Sequence, residues 1–332
     1  MAGVAVALGV AGVLAGLLAT RSAAKLPPNT VRPLASESQI RLPVDSYVPS
    51  FADQVLAGQA LTKVADACLA AHHVSVPLAF LGHVNPPLSA LNDSTVLWLS
   101  QDSARRYGFD PPSSASLDSF HQTVWAHGGV LGISPAQSDV LYGIPANLPV
   151  GPMTPATRPA SNGGCFGPAA AEVAAHVGPV PMLSVPADAA TTVGLAYYEL
   201  IWPGLPLQIE VTAAHEADAD PRVASDTQRW QACMSESGYH YQNPQDALGD
   251  PRWSAATADA SSQRKFKPLE LAVAAADARC EQQVNYGGTR LAVLTAYQDQ
   301  LISAHSGQLR VYEQEFSELV ANARLILAGK QP

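Results

Sequence analysis

The stretch PRVASDTQRWQACMSESG, residues 221–238, carries the clearest helix signal in the chain. Small and apolar side chains recur every three or four positions along it, which is the spacing of one helix face: Val223, Thr227, Trp230, Cys233, Met234 and Ser237. Gly238 stands where a helix commonly ends, because glycine accepts a left-handed backbone. The stretch therefore predicts a helix with a cysteine on its buried face, and it favours a mainly α-helical fold with disulfides between helices.

Similar patterns recur in three other parts of the chain. Ser50 is a natural N-cap for a helix that ends near His72, with one face made by Phe51, Val55, Leu61, Val64 and Cys68. Pro268 is expected to open a second helix, with Leu269, Val273, Ala276, Cys280 and Val284 in register. Residues 289–328 predict one long C-terminal helix, or two helices joined near residues 306–307 as a helical hairpin.

Shorter helices are predicted from their caps. Ser100 and Ser134 each precede a short helix, ending near residues 106 and 141, and Asn243 with Pro244 begins another. The side-chain oxygen of such a residue accepts a hydrogen bond from a backbone N–H that the first helical turn leaves unpaired.

Irregular segments separate these helices. Residues 143–164 contain five prolines and predict an extended loop, which is also a candidate sub-boundary of the body. Pro168 is expected to start an alanine-rich helix that ends near residue 177. Residues 178–210 hold five more prolines and short apolar runs, which predict one or two strands or turns.

The N-terminal stretch has a different character. Residues 1–20 carry no charged side chain, and about 20 apolar residues suffice to cross a bilayer as a helix. A secretory signal would also have basic residues ahead of the apolar run, and these are missing here. We interpret residues 1–24 as a cleaved signal peptide or a retained membrane anchor, residues 25–48 as a flexible tether, and residues 49–332 as an extracytoplasmic body.

Composition excludes several classes of protein. Charged residues are 14% of the 332, the formal net charge is −9, and no run of lysine and arginine appears, so no nucleic acid partner is expected. A hydrophobic content of 47% is ordinary, which excludes a polytopic membrane protein and a disordered chain. An even number of cysteines after an apolar start indicates an oxidising compartment.

Several motifs resemble those of an uncharacterised group of secreted or membrane-anchored actinobacterial proteins. Residues 230–239, WQACMSESGY, match the group's W-x-x-C-M-x-x-x-G-[YF] signature, and residues 275–280, AADARC, contain the A-D-x-x-C motif that follows it. GCFGPA at 164–169 and LPVDSY at 42–47 are similar to two further segments of the group. The resemblance implies an extracytoplasmic location with disulfides, and it carries no catalytic residue to this chain.

Four cysteines allow three pairings. We favour Cys68–Cys165 and Cys233–Cys280, because each pair joins recurring segments and keeps the closed loop local. In the loop-entropy model each bridge would stabilise the fold by roughly 4 kcal/mol. The alternative is a cytosolic protein with buried free thiols.

No catalytic, cofactor or metal site is predicted. His72 and His73 are adjacent and lack the H-E-x-x-H spacing that places two ligands on one helix face. The acidic run at residues 216–220 lacks the EF-hand register and suits a loop before a helix N-terminus. There is no G-x-S-x-G, and Ser262 with Lys265 fits S-x-x-K without its companion motifs.

Two binding surfaces are considered. Trp98, Trp125, Trp202 and Trp253 lie in loops or uncertain segments and would form a sugar-stacking platform if exposed, whereas Trp230 is expected to be buried. The second candidate is a partner contact on the C-terminal helix, made by Leu309, Tyr312, Phe316, Leu319 and Val320. The alternative for this second set is burial against the helix that begins at Pro268.

The best functional hypothesis is a non-enzymatic binding or structural protein of the cell envelope, secreted or anchored to the membrane through residues 1–24. Two alternatives stay open: a secreted hydrolase with an unrecognised site, and an accessory subunit of a membrane complex that docks through its C-terminal helix. A polar cleft with convergent carboxylates would favour the hydrolase, and an exposed apolar stripe along residues 294–323 would favour the subunit.

Overall fold

The computed structural model describes residues 25–26, 31–75, 95–109, 134–143, 164–183, 200, 204–253 and 260–332. Of these described residues 71% are helical and none forms a strand, which confirms the predicted mainly α fold. The helices are α1 (Phe51–Ala71), α2 (Gln101–Tyr107), α3 (Pro135–Tyr142), α4 (Phe166–Val173), α5 (Leu205–Asp218), α6 (Pro221–Glu236), α7 (Pro244–Leu248), α8 (Ala260–Val284), α9 (Tyr286–Ala304) and α10 (Ser306–Leu327). Two short 3-10 helices, Glu37–Gln39 and Pro43–Tyr47, precede them.

The predicted caps are present. The hydroxyl oxygens of Ser50, Ser100 and Ser134 accept backbone N–H groups three residues later at 3.1, 3.1 and 3.2 Å. Asn243 caps α7 in the same way at 2.8 Å. Each cap satisfies a donor that the first helical turn would leave unpaired, so these helix starts are fixed by local chemistry.

Three helix groups build the body around one contiguous hydrophobic core. α1 packs against α10 and α4, α9 packs against α5 and α6, and α8 packs against α2 and α6. Trp230, Leu294 and Tyr312 are among the largest side chains that are fully buried in this core. Because Leu141 and Phe166 belong to the same core, the described segments before and after residues 144–163 pack into one unit.

The predicted tether is wrong over much of its length. Ile40, Leu42 and Val44 are almost fully buried in the core, and the backbone N–H of Val44 donates to Oε1 of Gln298 on α9 at 3.1 Å. Apolar side chains at every second position drive this burial, and the prolines and serines around them conceal the pattern in the sequence. The folded body therefore begins before residue 49.

The prediction of strands or turns at 178–210 is also wrong for the described residues from 205 onward. α5 occupies residues 205–218, with Leu205, Ile209, Ala213 and Ala217 buried at a spacing of four. That spacing marks a helix face, which a search for short apolar runs overlooks. Two other starts differ: α4 begins two residues before Pro168, and α8 begins at Ala260 with Pro268 inside it.

The C-terminal segment is two helices that meet at His305. The break before them lies at Asn285, which has a left-handed backbone with φ of 59°, and Gly287 and Gly288 form the first turn of α9. A Cβ atom on Gly288 would lie 2.1 Å from the carbonyl oxygen of Arg32, so the glycine lets the N-terminal segment approach α9 closely.

No described helix combines the length and hydrophobicity that crossing a bilayer requires. Residues 1–24, the predicted signal peptide or anchor, lie outside the described residues.

Candidate functional site

Two carboxyl side chains are buried side by side on α8. Asp277 and Glu281 are four residues apart, so they share one helix face, and each is only 3% exposed. Ala274 and Ala278 on the same helix pack against Ala104 of α2, and these small side chains let α2 approach closely. We call Asp277 and Glu281 the acid pair.

Asp277 is held by an indole. Nε1–H of Trp230, on α6, donates to Oδ1 of Asp277 at 2.8 Å, and the tryptophan is fully buried. Burial raises the pKa of Asp277 to about 7, because a charged carboxylate is poorly solvated in the interior, and the indole hydrogen bond offsets part of this effect.

Glu281 has fewer partners. Burial and the neighbouring charge of Asp277 raise its pKa well above the ordinary value, while a backbone N–H from Leu99 and the charge of Arg290 lower it. Oε2 of Glu281 has no hydrogen-bond partner among the described residues. A buried carboxyl in this position is most stable when it carries a proton.

Arg290 links the acid pair to the surface. Its side chain extends from α9, is 4% exposed, and forms an ion pair with the 61% exposed carboxylate of Asp218 on α5. Nε of Arg290 also donates to the carbonyl oxygen of Thr95 at 2.9 Å. This cation is shared between the carboxylate of Asp218 and the carboxyl group of Glu281, which leaves excess negative charge that favours a bound proton on the acid pair.

Thr95 connects this cluster to a third buried carboxyl group. Its hydroxyl donates to Oε1 of Glu210 on α5 at 2.7 Å, while its carbonyl oxygen accepts from Arg290. Burial raises the pKa of Glu210, the charge of Asp45 adds to the rise, and the Thr95 hydrogen bond opposes it. A polar network thus runs through the core from the acid pair on α8, through Arg290, Thr95 and Glu210, to Asp45 in the 3-10 helix Pro43–Tyr47.

The acid pair is enclosed by the helices around it. A general acid must lie within hydrogen-bond reach of the group that it protonates. Because Asp277 and Glu281 are both 3% exposed, a dissolved substrate does not reach them in this conformation.

The predicted disulfides are confirmed. Cys68 pairs with Cys165 and Cys233 pairs with Cys280, each with Cα atoms 5.6 Å apart, and no cysteine is free. The first bridge joins the end of α1 to the residue before α4, and the second joins α6 to α8. As predicted, Trp230 and Met234 are fully buried on the same helix as Cys233.

The five proposed contact residues of α10 are not exposed. Leu309, Tyr312, Phe316, Leu319 and Val320 are between 0% and 8% exposed, in the interface that α10 forms with α1, α4 and α5. The hydroxyl of Tyr312 donates to the carbonyl oxygen of Leu200 at 2.7 Å, and Nδ2 of Asn322 donates to that of Val173 at 3.1 Å. The docking interpretation of these side chains is therefore wrong. The burial that the alternative predicted is confirmed, but the main packing partners are α1, α4 and α5 and not α8.

The other sequence candidates have structural roles where they are described. Trp253 is buried, stacks on Phe109 with ring centroids 6.1 Å apart and donates to Ala247, and Trp98 is half-buried. Asp220 caps α6 through the backbone N–H of Arg222 at 3.0 Å. Trp125 and Trp202 lie outside the described residues, as does the side chain of Ser262.

Sequence reasoning missed the acid pair, although a signal for it exists. Asp277 and Glu281 stand four and eight residues after Val273, so helical spacing places them beside the apolar face that Val273, Ala276, Cys280 and Val284 define.

No family model matches the chain, and neither the curated proteins nor the solved structures contain one that is significantly similar to it. The resemblance to the actinobacterial group stays a prediction.

Proposed function

We propose that this chain is a non-enzymatic binding or structural protein of the cell envelope that works outside the cytoplasm. The observation that supports this most strongly is the complete pairing of its four cysteines in two bridges between helices. Disulfides persist in oxidising compartments and are rare in reducing ones, and each bridge here closes a long loop, of 97 and 47 residues. Bridges of this kind suit a body that must stay folded without the protection of the cell interior.

The non-enzymatic part of the proposal draws on the acid pair. Asp277 and Glu281 have the convergent carboxyl groups that a hydrolase would use, but they are enclosed by helices and held by Trp230 and Leu99. The proposal therefore assigns these carboxyls to folding and pH response.

Location is tested by fractionation combined with thiol trapping. A C-terminally tagged full-length chain should appear in the membrane or the medium, with four cysteines that react with a maleimide only after reduction. A variant without residues 1–24 is the matched control, and it should stay in the cytoplasm with reactive thiols. Recovery of the full-length chain in the cytoplasm with four free thiols contradicts the proposal.

Binding is tested with isolated cell envelopes. The purified protein should sediment with envelope fragments in a saturable manner, and Asp277→Asn should bind equally well, because the acid pair makes no contact with the ligand. Release of soluble fragments from the envelope by the parent protein, abolished in Asp277→Asn, would instead establish the hydrolase. Absence of saturable sedimentation would exclude an envelope-binding role.

A further inference from the structure

A histidine lies beside one of the two disulfides. Cys68 is in the last turn of α1, and His72, four residues later, ends that helix, so both side chains share one helix face. Cys165 approaches from the residue before α4. The two sulfur atoms and a ring nitrogen of His72 all lie within 4.8 Å of one another.

We propose that Cys68, Cys165 and His72 form a binding site for one zinc-type divalent cation when the Cys68–Cys165 disulfide is reduced. Two thiolates and an imidazole are a donor set that zinc prefers, with a fourth position left for water or another ligand. A tetrahedral ion with bonds of about 2.3 Å to sulfur holds its ligand atoms about 3.8 Å apart. The sulfur atoms are bonded to each other now, so the two cysteine side chains must rotate apart after reduction, while a ring nitrogen of His72 already lies within 4.8 Å of both.

The disulfide and the metal site are alternative states of the same residues. An external dithiol supplies two electrons and two protons to the Cys68–Cys165 bond and becomes a disulfide itself. The cation then displaces the two thiol protons and binds the two thiolates. An external disulfide reverses the step: it takes up two electrons from the two thiolates and two protons from solvent and becomes a dithiol, while the Cys68–Cys165 bond forms and the cation is released.

Access distinguishes this bridge from the other one. Cys165 is 1% exposed, but Cys68 is half-buried and His72 is exposed, so a reductant and a cation can reach the site from solvent on the side of α1. Cys233 and Cys280 are 6% and 0% exposed. Within the described part of the chain, only the Cys68–Cys165 bridge has a third potential ligand in such a group.

The fold does not require the His72 imidazole. His72 ends α1 through its backbone N–H, which donates to the carbonyl oxygens of Cys68 and Leu69 at 3.2 and 3.1 Å. Substituting its side chain therefore leaves this cap in place. His73 is also exposed, but its backbone has φ of 56°, and its ring is outside the group. It provides a neighbouring histidine as a matched control.

The test uses the full-length protein, reduced with a phosphine without oxygen and titrated with Co²⁺. We expect one Co²⁺ per chain, with a thiolate-to-cobalt charge-transfer band and tetrahedral ligand-field bands that Zn²⁺ abolishes. His72→Ala should weaken Co²⁺ binding by about tenfold or more, whereas His73→Ala should match the parent. Zn²⁺ should also protect Cys68 and Cys165, but not Cys233 and Cys280, from alkylation measured by mass spectrometry.

Each outcome decides the proposal. A reduced parent without the charge-transfer band refutes it. Equal Co²⁺ affinity in His72→Ala and His73→Ala also refutes it. That result would include a reduced chain that unfolds and binds cobalt through any two thiols, because such binding does not depend on His72. Persistence of the band in Cys68→Ser would place the metal at the other cysteine pair and overturn the assignment.

Discussion

Asp277→Asn should change how the stability of the protein depends on pH. An aspartate with the ordinary pKa of 3.8 loses its proton in the unfolded chain near pH 4, but burial raises the pKa of Asp277 to about 7 in the folded protein. Between these values the folded state binds more protons than the unfolded state, so stability falls as pH rises. The asparagine does not titrate and keeps an oxygen that can accept the Trp230 hydrogen bond.

The size of the effect follows from proton linkage. One pKa unit corresponds to about 1.4 kcal/mol, so the full contribution of Asp277 is about 4 kcal/mol. About 3 kcal/mol of that is lost between pH 5 and pH 8. The free energy of unfolding of Asp277→Asn, relative to the parent, should therefore rise by about 3 kcal/mol over this range.

Urea denaturation followed by circular dichroism at several pH values measures this difference. Asp299→Asn, which changes an exposed aspartate on α9, is the matched control and should follow the parent within about 0.5 kcal/mol at each pH. Glu281 also titrates, and its pKa depends on the charge of Asp277, so the difference between the parent and Asp277→Asn reports the titration of the acid pair as a unit. A stability difference that stays constant from pH 5 to pH 8 would refute the account of the acid pair.

Three further substitutions test the packing of the body. Phe316→Ala should lower the free energy of unfolding by about 3–5 kcal/mol, because it empties a buried position. Val311→Ala, at a 40% exposed position of the same helix, should cost less than about 1 kcal/mol. Denaturation curves that are equal for the two variants would contradict the burial of α10. Arg290→Gln should destabilise the protein by about 3–5 kcal/mol at pH 8, because it leaves buried carboxylates without their cation. The loss of stability should be smaller at pH 5, where the acid pair is protonated. Thermal melting at both pH values measures the loss, and a loss that does not depend on pH would be inconsistent with the network. Tyr312→Phe should cost about 1 kcal/mol, since the carbonyl oxygen of Leu200 loses its donor while the ring stays packed, and an unchanged urea midpoint would argue against that hydrogen bond.

Local signals made parts of the fold predictable. Ser50, Ser100 and Ser134 each satisfy a nearby backbone donor, and this chemistry depends on three or four consecutive residues. The pairing of the cysteines was also predicted, because each bridge joins segments with a recognisable pattern. Such features need no knowledge of distant parts of the chain.

Contacts between distant residues were not predictable in the same way. The burial of Val44 depends on Gln298, and the choice of α1 as the partner of α10 is settled only when the whole body packs. The histidine beside the first bridge is an intermediate case. The spacing of four residues between Cys68 and His72 would have shown that the two side chains share a helix face. A search for metal ligands that considers only the spacing between histidines does not find this pair.

The pairing of α1 with α10 also constrains the order in which the protein can be made. Nζ of Lys63, on α1, donates to the carbonyl oxygen of Ile326, on α10, and these residues are 263 positions apart. During synthesis α1 emerges long before the helix that covers it, so its apolar face stays without its native partner until residue 327 has emerged. Shortening the chain within α10 should therefore leave α1 open to proteolysis.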